Sequence, residues 1–123
     1  MTAGGRVLVV DDDESIRDLL RLTLSEEGYE VTEAADGIAA LESVDRSPPG
    51  LILLDLRMPR LDGWGFYRAY RRRPGPHAPI MVITAARDAK ASAAALSPEA
   101  VLDKPFDLDE LTGLVKRLLP PQP

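Results

Sequence analysis

Short segments with strand-like patterns alternate along the chain with longer segments of helical periodicity. Continuous apolar runs rich in Val, Ile and Leu indicate strands buried on both faces, and strict alternation of apolar and polar residues indicates a strand near a sheet edge. The alternating segment is 29–34, the apolar runs are 6–10, 51–54 and 79–83, and residues 100–103 are predicted to form a further, short strand. The pattern therefore predicts five strands.

Apolar residues recur three or four positions apart after each strand, which is the signature of an amphipathic helix. The predicted helices start near Glu14, after Asp36, near Asp62, after Thr84 and after Asp107, and they end near Gly28, Ser47, Arg73, Leu96 and Leu119. Regular alternation of strand and helix with short connections predicts an α/β fold, a doubly wound parallel sheet of five strands with helices on both faces.

Length and composition place the chain among ordinary globular domains. It has 123 residues, of which 45% are hydrophobic and 28% charged, so one domain over 1–119 is expected. No apolar run reaches the eighteen residues of a membrane span, and the start lacks the core of a signal peptide. Cysteine is absent, which excludes disulfides and weakly favours a cytoplasmic location. Residues 120–123 are a Pro-rich tail or the start of a linker.

The net charge of −5 argues against direct binding of nucleic acid. Arg68, Arg71, Arg72 and Arg73 cluster at the predicted end of the third helix; favourable placement at a helix C-terminus is the favoured interpretation, and a docking patch for an acidic partner is the alternative. The one histidine, His77, is expected to be an exposed loop residue without a partner.

Polar side chains follow the predicted strands where they end. They are Asp11, Asp12, Asp55, Thr84 and Lys104. Because the carboxyl ends of parallel strands meet at one edge, where ligands bind in open α/β sheets, we expect these side chains to converge. Carboxylate oxygens suit Mg²⁺. A carboxylate beside a divalent metal, a cation and a hydroxyl favours formation of an acyl phosphate on Asp55.

Each of these residues also has a simpler explanation. Asp55 could form an Asx turn, residues 11–14 could cap the first helix, Thr84 could cap a strand end, and Lys104 could be solvated. The coincidence of all of them at one predicted sheet edge favours a functional site.

The same residues lie in motifs that resemble the receiver domains of two-component response regulators. The motifs are Val9-Val10-Asp11-Asp12, Leu53 to Pro59 (LLDLRMP), Leu61-Asp62-Gly63, Ile83-Thr84-Ala85 and Lys104-Pro105-Phe106. The resemblance covers residues 6–119 and implies a flavodoxin-like (β/α)5 fold. It also implies that Asp55 accepts a phosphoryl group from a phosphohistidine of a sensor histidine kinase or a histidine phosphotransfer protein.

Further roles follow from the resemblance alone. Asp12, Asp11, Asp55 and the backbone carbonyl of Arg57 would bind Mg²⁺ or Mn²⁺. Thr84, with Ala85, and Lys104 would bind the phosphoryl oxygens, with Thr84 changing rotamer as a switch. The peptide bond before Pro105 would be cis. The face made by the fourth helix, fifth strand and fifth helix would bind a partner or form a homodimer.

Two features depart from the usual family pattern. The switch position that often carries Tyr or Phe is Val101 here, so a signal through this face would rely on movement of backbone and helix. The segment 84–104 is about two residues shorter than usual, which predicts a short or irregular fourth helix.

Two positions that tune the phosphate lifetime in the family are Arg57 and Ala86. Ala86 cannot orient an attacking water, and Arg57 could shield the phosphoryl group. An acyl phosphate that outlasts those of fast-cycling chemotaxis-type regulators is therefore expected.

A phosphorylatable switch, which acts only on its own phosphorylation and dephosphorylation and is not an enzyme for external substrates, agrees best with the motifs. A phosphorylation-independent receiver that serves as a protein-interaction module is the alternative. An aspartate-nucleophile phosphatase needs a second acid two residues after the nucleophile, where this chain has Arg57.

Overall fold

The computed structural model describes residues 5–121, and for residues 86, 92 and 93 it describes the backbone alone. The strands are β1 (Arg6–Val10), β2 (Glu30–Ala34), β3 (Leu51–Leu54), β4 (Ile80–Ala85) and β5 (Ala100–Lys104). The helices are α1 (Glu14–Glu26), α2 (Gly37–Arg46), α3 (Gly63–Arg72), α4 (Ala86–Leu96) and α5 (Leu108–Leu118).

The five strands form one parallel sheet with the order β2-β1-β3-β4-β5. The apolar runs β1, β3 and β4 occupy the centre, and the alternating segment β2 lies at an edge, which confirms both predictions. The order reverses between β1 and β3, the arrangement that opens a crevice at the carboxyl edge of a doubly wound sheet.

Helices cover both faces of the sheet, as predicted, and each face has its own apolar core. On one face, Leu8 and Val10 of β1 pack in a cluster that includes side chains of α2, α3 and α4. On the other face, Val7 and Val9 pack with side chains of α1 and α5. Alternate residues of one strand thus serve opposite cores, because successive side chains of a strand point to opposite faces.

Carboxylates begin four of the five helices. Asp13, Asp36, Asp62 and Asp107 each accept hydrogen bonds from backbone amides in the first turn of α1, α2, α3 and α5. A side-chain oxygen at this position satisfies an amide that has no partner inside the helix. The predicted cap at Asp107 is confirmed. Helix α4 instead follows Ala85, whose methyl group cannot accept a hydrogen bond.

Two expectations from the sequence are wrong. Helix α4 has 11 residues, as many as α5, so the shortened segment 84–104 does not give a short helix. His77 is half-buried and has partners: its Nε2 lies 2.7 Å from the carbonyl oxygen of Arg73, and its ring contacts Tyr70 edge-on. The turn at 74–77 folds the ring back onto α3, which a chain position alone does not reveal.

The arginines around the end of α3 do not form a uniform free patch. Arg71 binds Glu99 and lies over the ring of Tyr67, and Arg73 binds Asp45. Half of the cluster therefore pairs within the chain itself.

None of the helices within residues 5–121 combines the length and the apolar character that a bilayer span requires.

Candidate functional site

The carboxyl edge of the sheet brings together the polar residues that follow the strands. The amide of Asp55 donates to the carbonyl of Val10 (2.9 Å), so the ends of β1 and β3 are level. On the other side, Ala85 of β4 pairs with Lys104 of β5. Parallel register therefore delivers Asp11, Asp55, Thr84 and Lys104 to one crevice.

Three carboxylates form the acidic part of the site. Oxygens of Asp11, Asp12 and Asp55 lie within 4.8 Å of one another. Asp11 is 3% exposed and Asp55 7% exposed, whereas Asp12 is open to solvent. Hard divalent cations are bound by oxygen ligands of this kind, and Mg²⁺ in particular keeps several waters, so a cluster with one open side fits it.

Backbone amides orient the two buried carboxylates. Asp11 Oδ1 accepts the amide of Asp13 (2.9 Å), and Asp55 Oδ1 accepts the amide of Leu56 (2.8 Å). In both residues Oδ2 is the oxygen that faces Lys104.

Lys104 bridges the two buried carboxylates. Its Nζ donates to Asp11 Oδ2 at 2.7 Å and to Asp55 Oδ2 at 3.3 Å. Burial alone lowers the pKa of Lys104, but its hydrogen bond to Asp11 and the charges of Asp11 and Asp55 outweigh burial, so the pKa is raised. For Asp11, burial raises the pKa, and the hydrogen bonds from Lys104 and the Asp13 amide oppose it only in part. Lys104 is an ion-pair partner and not a solvated lysine.

Thr84 is 1% exposed at the end of β4. Within residues 5–121, its Oγ1 has no hydrogen-bond partner. A buried hydroxyl of this kind is costly unless something binds to it, so Thr84 has an unused donor at the site. Ala85 beside it is exposed, and the side chain of Ala86 lies outside the described residues.

Arg17 of α1 binds the backbone of the candidate site at Asp11, a contact that was not predicted. Its Nη1 donates to the carbonyl oxygen of Asp11 (2.7 Å), and its Nε binds Glu33 of β2. The contact fixes the backbone where β1 ends. The sequence carries no signal for this contact, because an arginine at this position of a helix cannot be distinguished from one that is exposed to solvent.

Arg57 forms a second unpredicted contact, with Asp88 in the first turn of α4. The distances are 2.9 Å from Nε to Oδ2 and 2.8 Å from Nη2 to Oδ1. The hydrogen bond from Arg57 holds the pKa of Asp88 below its ordinary value, although burial opposes this. The guanidinium also lies 5.2 Å from the ring centre of Trp64, within the range of a cation–π contact.

The remaining predicted positions lie around β5. Val101 is half-buried, pairs with Val82 of β4 and packs against the core on the α2–α3–α4 face. The peptide bond between Lys104 and Pro105 is cis.

Comparison with known proteins gives consistent results. The family model described as "Response regulator receiver domain" matches residues 7–116. The response regulator MprA of Mycobacterium leprae is 44% identical over 116 residues, which are 93% of this chain and 50% of that protein. MprA of Mycobacterium ulcerans is 43% identical with the same coverage. The chain spans about half the length of the curated relatives it matches.

Solved structures share the fold over nearly the whole chain. The chemotaxis response regulator CheY4 of Vibrio cholerae superposes with a TM-score of 0.84 at 34% identity, covering 94% of this chain and 98% of that chain. The response regulator TrrA of Thermotoga maritima, solved in complex with Mg²⁺-BeF, gives 0.82 at 35% identity, covering 93% and 98%. With the family match over residues 7–116, these likenesses show that the chain belongs to the receiver domains of two-component response regulators.

Proposed function

We propose that Asp55 accepts a phosphoryl group from a phosphohistidine of a sensor histidine kinase or a histidine phosphotransfer protein. Receiver domains are signalling modules, and this one would act on its own phosphorylation state and on no external substrate. The observation that carries the proposal is the set of polar groups at this sheet edge: a buried Asp55 carboxylate bound by Lys104, and at the end of β4 a buried Thr84 hydroxyl that has no partner within residues 5–121.

In the transfer, a carboxylate oxygen of Asp55 attacks phosphorus as the P–N bond breaks. The electron pair of that bond returns to the imidazole nitrogen, and a mixed acyl phosphate remains on Asp55. Lys104 Nζ, already close to Asp55, would stabilise the added negative charge. Thr84 Oγ1 would donate to a phosphoryl oxygen, which supplies a partner that this buried hydroxyl lacks among the described residues.

The acidic cluster supports dependence on Mg²⁺ or Mn²⁺. Asp11, Asp12, Asp55 and the backbone carbonyl of Arg57 would hold the metal ion. A bound divalent cation offsets the negative charge on the transferred group. The structural relative TrrA was solved in complex with Mg²⁺-BeF, which supports a magnesium site in this chain.

The output would pass through the face made by α4, β5 and α5. Thr84 belongs to β4, which is paired with β5, so movement of the threonine on phosphorylation would act on the neighbouring strand. With Val101 at the switch position, the change would be carried by backbone and helix displacement, and the face would bind a partner or form a homodimer. The protein would act in the cytoplasm.

The test is the intact mass of the chain after incubation with Mg²⁺ and acetyl phosphate. We expect a phosphoryl adduct of about 80 Da on the wild type, and no adduct on D55N or after addition of a chelator. D45N is the matched control, because Asp45 is a surface carboxylate at the end of α2 that pairs with Arg73; it should be phosphorylated like the wild type.

Absence of the adduct from the wild type, with acetyl phosphate and also with a phosphorylated histidine kinase, would reject the proposal. It would favour the phosphorylation-independent interaction module. An adduct on D55N would show that another residue accepts the group.

A further inference from the structure

Arg57 and Asp88 form an ion pair between two segments of the chain, and each segment directly follows a residue of the candidate site. Arg57 lies in the connection between β3 and α3, two residues after Asp55, and Asp88 lies four residues after Thr84. The two-point ion pair between them therefore ties the loop after the acceptor aspartate to the helix after the threonine.

The two partners differ strongly in exposure. Asp88 is 4% exposed, whereas the side chain of Arg57 is 66% exposed. A buried carboxylate is stable only when it is paired, while an exposed guanidinium can exchange one anion for another at little cost. Asp88 thus depends on Arg57 more than Arg57 depends on Asp88.

We propose that Asp88 is a positioning residue that holds the Arg57 guanidinium away from Asp55, and that a phosphoryl group on Asp55 competes with Asp88 for this cation. The inference rests on the proposed function. The phosphoryl group of an acyl phosphate carries about two negative charges, which is one more than the Asp55 carboxylate had before the transfer. Arginine binds phosphate oxygens with the same fork geometry that it uses for carboxylates.

Competition of this kind has two consequences. An Arg57 that reaches the phosphoryl group shields phosphorus from water and lengthens the life of the acyl phosphate. Its departure also leaves Asp88 buried without its partner, which loosens the first turn of α4. The pair would therefore set the phosphate lifetime and couple it to the position of α4.

A double-mutant cycle tests the proposal. Wild type, D88N, R57A and R57A/D88N are phosphorylated with acetyl phosphate and Mg²⁺, the donor is removed, and loss of the phosphoryl mass is followed. D88N frees Arg57 and should lengthen the lifetime about three- to tenfold, as expected for one partly exposed charge-assisted pair. In the R57A background the same substitution should change the lifetime by less than about twofold, because no guanidinium remains to be freed.

Two further variants keep the test decisive. D88E keeps the negative charge that D88N removes, so its phosphate lifetime should be closer to that of the wild type than the lifetime of D88N is. If D88N does not fold, D88S takes its place, since serine is also compatible with the first turn of a helix. Folding of each variant is checked by circular dichroism and thermal unfolding.

The other outcomes distinguish a failure of this inference from a failure of the proposed function. If D88N changes the lifetime equally with and without Arg57, or shortens it, Asp88 acts only on the structure of α4 and the inference is rejected while the proposed function stands. If the wild type takes up no phosphoryl group, the proposed function fails and the inference falls with it.

Discussion

Gly63 packs directly against Leu56, the residue that follows Asp55, the proposed phosphoacceptor. The amide of Gly63 donates to the carbonyl oxygen of Leu56 (2.9 Å), and a Cβ atom on Gly63 would lie 2.7 Å from the Leu56 Cα. Helix α3 can begin this close to the end of β3 only because position 63 has no side chain. The loop that carries Asp55 is therefore held in place by a backbone-to-backbone contact.

Replacement of Gly63 by alanine should push this loop out of place. We expect G63A to lower the free energy of unfolding by about 1–3 kcal/mol, as overpacking does, and to slow phosphorylation by acetyl phosphate. Urea unfolding and the rate of adduct formation measure the two effects. G113A in α5 is the matched control: apart from its chain neighbours and the nearby backbone of its own helix, no atom of the described residues lies within 4 Å of its Cβ position. Alanine there should stabilise the helix by about 0.5–1 kcal/mol. Equal effects of the two substitutions would contradict the prediction.

Removal of the Lys104 charge should leave Asp11 and Asp55 close together without their cation. We expect K104M to lose about 2 kcal/mol of stability without metal, because two buried carboxylates then repel each other. With a metal ion bound by Asp11 as proposed, Lys104 would compete with it for the carboxylate, so added Mg²⁺ should stabilise K104M more than the wild type. Urea unfolding with and without Mg²⁺ is the measurement.

The control for Lys104 is Lys116, which binds Glu27 at the surface. K116M should respond to Mg²⁺ as the wild type does. A response of K104M no larger than that of K116M would show that Lys104 does not compete with the metal.

Asp36, which is not one of the three carboxylates of the acidic cluster, gives a pH-dependent prediction. Its Oδ1 caps α2 at the amide of Ala39 and its Oδ2 binds Arg60, and these contacts hold its pKa below the ordinary value although burial opposes them. A carboxylate with a lowered pKa adds stability above its unfolded pKa, and this stability is lost as the pH falls through the folded value.

The substitution D36N keeps a helix cap and removes the charge. At neutral pH it should cost about 0.2–1 kcal/mol, the value of a partly exposed ion pair. The difference between wild type and D36N should shrink as the pH falls below about 4, where carboxyl groups protonate. Unfolding by urea at a series of pH values measures it. A difference that stays constant down to pH values well below this range would contradict the assignment.

The acyl phosphate should decay more slowly than in fast-cycling chemotaxis-type regulators. Position 86 is alanine and has no polar atom to orient an attacking water, so A86N should shorten the lifetime several-fold. A95N, an exposed change near the other end of α4, should have no such effect. Rapid decay in the wild type that is unchanged in R57A would contradict the expectation of a long lifetime.

The sequence was sufficient to predict the strands and the residues at their ends. Leu51–Leu54 is buried throughout, and such a run has few alternatives to a central strand, so the position of Asp55 at the sheet edge follows. Parallel pairing then dictates that Asp11, Thr84 and Lys104 lie at the same edge. These side chains converge because all the strands run parallel, and the regular alternation of strands and helices along the chain already predicts parallel strands.

Contacts made by long side chains were not predictable in the same way. Arg57 and Asp88 are 31 positions apart, and their pairing depends on the direction in which α4 leaves the sheet. The length of α4 was wrongly predicted because a shortening of the segment 84–104 can fall on the connection between α4 and β5, which is only residues 97–99, rather than on the helix. His77 was wrongly expected to lack partners, because it contacts Tyr70 in the last turns of α3 and the carbonyl oxygen of Arg73 just after that helix.

The separation of the two apolar cores by the sheet has a consequence for how this sequence can vary. Leu8 and Val10 belong to one cluster and Val7 and Val9 to the other, and the two clusters share no side chain within residues 5–121. A change of volume on the side of α1 and α5 must be compensated on that same side. The two sides of the molecule can therefore diverge independently, while the edge where the strands end stays the same.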